Sequence, residues 1–252
     1  MRSILASDQE WPQQLNQLEV SPAQLFIESS EPDLSVLTAK SIAIVGSRNA
    51  TPYGLRVATE FAAGLAESGY TIISGGAFGI DAAAHRGALS VGGKTVVVLA
   101  GGVDCPYPMA HSNLFIDASK NGALISEHPA GTPSLKHNFL ERNRIIAGLA
   151  FGTLIVEAAF KSGAIRTALD TVKLLRPVMA IPGPISSPLS AGVNRLIAER
   201  VAELVTSIWQ IEEIVGSYGQ SGQSMLGADG MINPCQTQSN QPQIFGQGLS
   251  LL

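Results

Sequence analysis

The sequence has little of what marks a secreted, membrane-spanning or polybasic protein. Only two cysteines are present in 252 residues, Cys105 and Cys235, far apart in the chain. The N-terminal stretch MRSILASDQEWPQQL holds no continuous apolar segment of the kind a secretion signal needs. The expectation from both features is a reducing cytoplasm. The longest apolar stretch, Ile145 to Phe160, is broken by Thr153 and Glu157 and falls short of the roughly 20 residues that cross a bilayer, so no membrane span is expected. Charge is scarce at 14%, and a formal net charge of −4 excludes a polybasic protein. It does not exclude a local cationic patch, because the potential in a cleft depends on where the charges sit. What the chain does have is apolar material, 45% of its residues, enough for a large core in one or two domains.

That material is arranged in short β-branched runs alternating with longer amphipathic ones. The runs Ser41 to Val45, Tyr70 to Ser74, Thr95 to Ala100, Ala123 to Ser126, Thr153 to Glu157 and Val178 to Ile181 are bounded by Gly, Pro, Asp or Ser and predict strands. Tyr53 to Glu67, Asp81 to Leu89, Met109 to Lys120, Phe139 to Leu149 and Ala164 to Leu175 predict helices. Strands that are apolar nearly throughout are buried on both faces, and strand-helix alternation requires crossovers. The expected fold is therefore α/β: an extended Rossmann-like, mostly parallel sheet with helices on both faces, spanning residues 38–215. Residues 1–37 are expected as a short helical and extended segment packed on its edge. From residue 216 to 252 the sequence is rich in Gly, Ser, Gln, Asn and Pro, and the expectation is a flexible polar tail.

Ligands of parallel α/β sheets lie outside the carboxyl ends of the strands, so the residues following each strand are the informative ones. After the first strand stands GSRNATPYG, in which Gly46, Ser47 and Arg48 with the next helix start supply the parts of an anion site. After the second stands SGGAFGIDAAAH, where Gly75, Gly76 and Gly79 allow close backbone approach to a phosphate, or serve only to make the turn. Arg142, Asn143 and Arg144 precede the apolar run of the fifth strand, and Lys161 and Arg166 follow it. GGKT at Gly92 to Thr95 resembles the end of a P-loop, but it leads into a strand and lacks the first glycine. It is read as a turn. The histidines His85, His111, His128 and His137 show no zinc spacing with either cysteine, no serine lies in a nucleophile elbow, and Asp81 with His85 is read as a local cap or i,i+4 contact. Glu127 and Glu157, at strand ends, are available to loop amides or to the arginines of RNR.

Several motifs in a fixed order resemble the DNA-processing protein A (DprA/Smf) family of bacterial recombination mediators. They are IAIVGSR at Ile42 to Arg48, SGGAFGIDAAAHRGAL at Ser74 to Leu89, YP at Tyr107 and Pro108, SEHPAGTPSLKHNFLERNRIIAGLA at Ser126 to Ala150, VEAAFKSGAIRTA at Val156 to Ala168, AIPGP at Ala180 to Pro184 and GVNRLI at Gly192 to Ile197. The resemblance implies a cytoplasmic, usually homodimeric protein that binds single-stranded DNA, shields it and helps to load a RecA-type recombinase in natural transformation. No cofactor and no metal are expected, and the residues themselves show no convincing catalytic set.

A single strand needs cations for its phosphates and planar or apolar side chains for its bases. Arg48, Lys136, His137, Lys161 and Arg166 are expected as phosphate contacts, and Asn138 and Phe139 as a polar and an aromatic contact beside them. Arg142 and Arg144 have two readings: contacts to the strand, or internal clamps on Glu127, Glu157 or strand-end carbonyls. Three departures from the family pattern stand out. Phe78 replaces an arginine common in the family, Glu199, Arg200 and Val201 replace a glycine-containing DGA, and no winged-helix pattern follows Val215. The competing function is enzymatic: nucleotide phosphoribohydrolases of similar fold use an arginine and a glutamate, which Arg142 or Arg144 with Glu157 would imitate. Against it, their PGGxGTxxE motif is absent. A sensor that binds a nucleotide-derived signal without turnover would share the same pocket.

Overall fold

In the computed structural model, residues 1–31 and 33–225 are described, with the backbone alone for 218–225. All six apolar runs are strands: β3 (Ser41–Val45), β4 (Thr71–Ser74), β5 (Thr95–Val98), β6 (Gly122–Ser126), β7 (Thr153–Ile155) and β8 (Val178–Ala180), every residue of them buried. They pair in parallel in the order β6-β5-β4-β3-β7-β8. Because side chains alternate along a strand, Ile42 and Ile44 of β3 enter one apolar cluster and Ala43 and Val45 the other. One cluster is covered by α2 (Pro52–Glu67) and α3 (Ile80–Ser90), the other by α5 (Asn138–Leu149) and α6 (Gly163–Lys173). A smaller cluster lies under α4 (Ser112–Lys120).

The N-terminal segment does more than rest on the edge. β1 (Arg2–Leu5) and β2 (Gln24–Ser29) form an antiparallel pair, and β2 joins β6 antiparallel in the register Phe26↔Ser126. Trp11 and Leu15 between them are fully buried and belong to the cluster that α5 and α6 cover. Asp33 caps α1 (Leu34–Thr38) by accepting from the amides of Ser35 and Val36. The first strand of the parallel core is thus reached through elements that share its core.

After β8, α7 (Ala191–Ala198) leads to the two-residue edge strand β9 (Glu203–Leu204) and then to α8 (Ile208–Met225). The last helix crosses residue 216, where the flexible tail was expected to begin. α8 is anchored by buried Ile211 and Val215 and runs on through Gly216 to Met225, since extending a nucleated helix fixes few dihedrals per bond gained. The remainder of that expectation, residues 226–252, lies outside the described residues. The departure at Glu199 to Val201 leaves the turn intact, because Arg200 itself adopts φ +57° where the family pattern has glycine. Among the described residues no helix is long and apolar enough to cross a membrane.

Candidate functional site

The chain runs outward from β3 to β4, β5 and β6, then returns to place β7 on the other flank of β3. The order reverses between β3 and β7, so the helices that follow these strands diverge and leave a crevice beyond their carboxyl ends. A cavity of about 720 Å³ occupies that position. Gly46, Ser47 and Arg48 line it from the loop after β3, Lys136 and Phe139 from the start of α5, and Arg142 from the next turn of that helix. The opposite wall is Ser162, Gly163 and Ala164 at the start of α6.

The mouth is cationic and aromatic. Arg48 is exposed, and its guanidinium lies over the Phe139 ring at 4.9 Å. Tyr107, half exposed, meets the same ring edge-on with centroids 5.9 Å apart. Lys136 is exposed beside them. Phe78, in the β4–α3 loop, is 45% exposed and packs edge-on against His111 at 4.7 Å. The floor is different in kind. Arg142 is 5% exposed, and burial lowers its pKa to about 10, opposed by the nearby Asp81 charge. It stays charged at neutral pH. Its Nε–H is buried without a hydrogen-bond partner among the described residues, an unusual state for a buried donor.

The glycines of the β4–α3 loop do not line the cavity. Gly75 and Gly76 are buried behind it, and the amides of Gly75 and Ala77 are taken by the Asp81 carboxylate at 3.2 and 3.4 Å. A Cβ on Gly75 would fall 1.6 Å from an Arg142 Nη, so this glycine makes room for the arginine. Gly79 has φ +77°, and a side chain there would meet the Ser47 carbonyl at 2.2 Å. These residues are spacers that let two loops and a buried cation share one volume. The α2 start is closed as well: Thr51 accepts from the Gly54 amide, while the Glu157 carboxylate accepts from the Thr51 amide at 2.9 Å and its hydroxyl at 2.6 Å.

The remaining expected contacts separate. Asn138 is buried and His137, exposed, precedes α5; neither lines the cavity. Arg144 points away from Arg142 and donates from Nη2 to both oxygens of Glu127 at 2.7 and 2.8 Å, which is the clamp geometry. Arg166 donates to Asp170 one turn on, and Lys161 is exposed; neither reaches the cavity wall. The phase of α5 was legible in advance, because Arg142 lies three, four and seven residues before Ile145, Ile146 and Leu149 on the buried stripe. Ser162 and Gly163, which follow β7 and were not singled out, satisfy the same strand-end rule that selected Ser47.

Asp81 and His85 form no pair. Burial pushes the Asp81 carboxyl up from its usual range, with the Arg142 charge opposing. His85 donates from Nδ1 to Thr95 Oγ1 at 2.7 Å, since that hydroxyl itself donates to the Ile72 carbonyl. The ring is held neutral, its pKa lowered to about 3 by burial and then by the Arg142 charge. The arginine–glutamate pair of a nucleotide hydrolase is likewise not assembled. The Glu157 side chain lines a second cavity, of about 530 Å³, with Tyr53, Pro182 and Pro184, whereas Arg142 floors the first.

Fold and cleft together define a doubly wound α/β protein with a cationic, aromatic-rimmed crevice at its topological switch point. Residues 2–216 match the family described as DNA recombination-mediator protein A, and the chain belongs to that family. It is similar to Protein Smf of Escherichia coli, 42% identical over 83% of this chain and 55% of that one. It is 47% identical over 187 residues to a Mycobacterium tuberculosis protein named for DprA, covering 74% of this chain and 48% of that one. The chain spans about half the length of these curated relatives. Among solved structures, the DNA processing protein A of Streptococcus pneumoniae superposes with a TM-score of 0.78 at 38% identity, over 83% of this chain and 72% of that one. The Helicobacter pylori protein, whose single-stranded DNA binding mode is the subject of its structure, gives 0.75 at 25% identity over 88% of this chain and 97% of that one.

Proposed function

We propose that this chain binds single-stranded DNA in the cleft between β3 and β7 and acts as a recombination mediator. In that role it shields the strand and helps to load a RecA-type recombinase in natural transformation, as a cytoplasmic homodimer. The observation that carries the reading is the mouth of the cleft, where exposed Arg48 and Lys136 stand beside the Tyr107–Phe139 ring pair. Cations that follow a backbone, next to rings that any base can stack on, are what a sequence-tolerant single-strand site requires. A duplex keeps its bases stacked inside and offers such rings nothing. The similarity to the Helicobacter pylori protein supports the same ligand. Hydrolysis of nucleotides is disfavoured because the Glu157 carboxylate is engaged by Thr51 and lines a different cavity from Arg142.

The test is the affinity of the purified chain for an unstructured oligonucleotide and for the same sequence as a duplex, at two salt concentrations. The single strand is expected to bind more tightly, with affinity falling steeply as salt rises. Equal affinity for the duplex, or no response to salt, would refute the proposal.

A further inference from the structure

Of the helices that follow the central strands β3, β4 and β7, two have their amino ends occupied by the protein itself. The α2 end is taken by Thr51 and Glu157, and the loop leading into α3 by Asp81. The α6 end is open. Its N-cap, Ser162, makes no capping bond, and its Oγ is buried with no partner among the described residues. Gly163 and Ala164, whose amides begin the helix, line the main cavity with Ser162. The carbonyl of Gly163 is fixed by Asn143 Nδ2 and Thr167 Oγ1, each at 3.2 Å, so this first turn is held in place from behind.

A helix start with free amides carries partial positive charge and favours an anion. A second, independent feature faces the same cavity: the Arg142 guanidinium, 5% exposed, with its Nε–H unpaired. Ser162 and Arg142, each with a buried unpaired donor among the described residues, thus line one volume with the uncapped helix start; the carboxylate that shares its lining, Asp81, accepts from the Gly75 and Ala77 amides. Asn143 adds an amide side chain to the same wall.

We propose that the α6 amino end, with Ser162 Oγ and Arg142 Nε–H, is a phosphate seat in the floor of the cleft. Resting on the single-strand reading, it takes one backbone phosphate of the bound strand, while Arg48 and Lys136 hold the neighbouring phosphates at the mouth. The glycine loop after β4 plays no part in holding it.

Two substitutions at Ser162 test this against an unstructured oligothymidylate and against inorganic phosphate alone. Ser162→Ala removes a hydroxyl that has no partner among the described residues, so the fold is expected to be unaffected. Oligonucleotide affinity should drop about tenfold, as for one lost hydrogen bond to a charged group. The salt slope should stay as in the parent, since no cation is lost. Ser162→Asp supplies the missing cap and a negative charge at the helix start. It should raise the melting temperature, weaken the oligonucleotide more than Ser162→Ala does, and abolish the rise in melting temperature that phosphate gives the parent.

Folded Ser162→Asp protein that binds the oligonucleotide as the parent does would overturn the seat and leave the single-strand reading standing. A parent that is stabilised by phosphate through Ser162 but binds no oligonucleotide would uphold the seat and defeat that reading. Should Ser162→Asp fail to fold, unchanged oligonucleotide affinity in Ser162→Ala overturns the proposal by itself.

Discussion

Replacing Arg48 with Ala isolates the phosphate contribution of the cleft mouth from the stability of the fold. Arg48 is exposed, and its guanidinium lies over the Phe139 ring at 4.9 Å. Removing an exposed cation–π contact costs about 0.5–1 kcal/mol at most, so the melting temperature should move little. Binding should suffer more. One phosphate contact on a single strand contributes about 0.7 to the slope of log affinity against log salt, and the slope should become shallower by about that amount. With the charge and the ring-stacked guanidinium both gone, affinity near physiological salt should fall about tenfold, or about 1.4 kcal/mol. Arg48→Lys provides the internal control. It keeps the charge and therefore the slope, but loses the planar group that lies on Phe139, and should recover only part of the affinity. The assay is fluorescence anisotropy of a labelled oligonucleotide across a salt series, with thermal melts of each variant in the same buffers. An Arg48→Ala protein with the parent's salt slope would refute the placement of a phosphate at this residue. A large drop in melting temperature would show that the side chain serves the fold.

The two arginines of RNR should part company in the same assays: Arg144→Met is expected to lose about 1–3 kcal/mol of stability by leaving Glu127 without its bidentate partner, while oligonucleotide affinity in the folded fraction stays that of the parent. Urea titration of the variant, compared with Glu127→Gln and the double substitution, measures the coupling directly. His85 makes stability depend on pH with a definite sign. Its folded pKa of about 3 lies below the unfolded value of 6.5, so the folded state refuses a proton that the unfolded chain accepts; the contribution is complete above pH 6.5 and is lost as pH falls toward 3, at up to about 1.4 kcal/mol per unit. His85→Asn, which retains an N–H for Thr95, should flatten that part of the urea-derived stability profile, and an unchanged profile would refute the assignment. Finally, Arg200→Gly should stabilise the chain by about 1 kcal/mol, because a non-glycine residue is strained at φ +57°; a lower melting temperature would mean that the Arg200 side chain contributes more than its backbone costs.

Much of this protein was determined by its sequence alone. Strands buried on both faces read as apolar runs wherever they sit in the sheet, so β3 to β8 were recognisable before any partner was known. The helices between them followed from their apolar period; the structure adds Thr51 as the cap and Pro52 as the first residue of α2. The strand-end rule then led to the loops that line the cleft, and Ser47, Arg48, Lys136, Phe139 and Arg142 do line it. The pairing of the N-terminal segment was not legible: β1 and β2 mix polar with apolar residues at the sheet edge and were expected only as extended chain, while the edge strand β9 has two residues. Even the division between Arg142 and Arg144 was half legible, since two residues on a helix are separated by about 200° and only Arg142 continues the apolar stripe.

What the sequence could not settle is which helix start remains open. Three of them follow a central strand, and each carries a Ser, Thr or Gly at its beginning. α2 is closed by a carboxylate 106 residues away, Glu157, and the loop before α3 by Asp81 turning back on it. At α6 no capping bond forms among the described residues, and a buried arginine from α5 lines the same cavity. An amide is occupied or free according to what packs against it, and that is a relation between distant residues which no local pattern encodes. The anion site follows from that relation, and the tertiary structure alone supplies it.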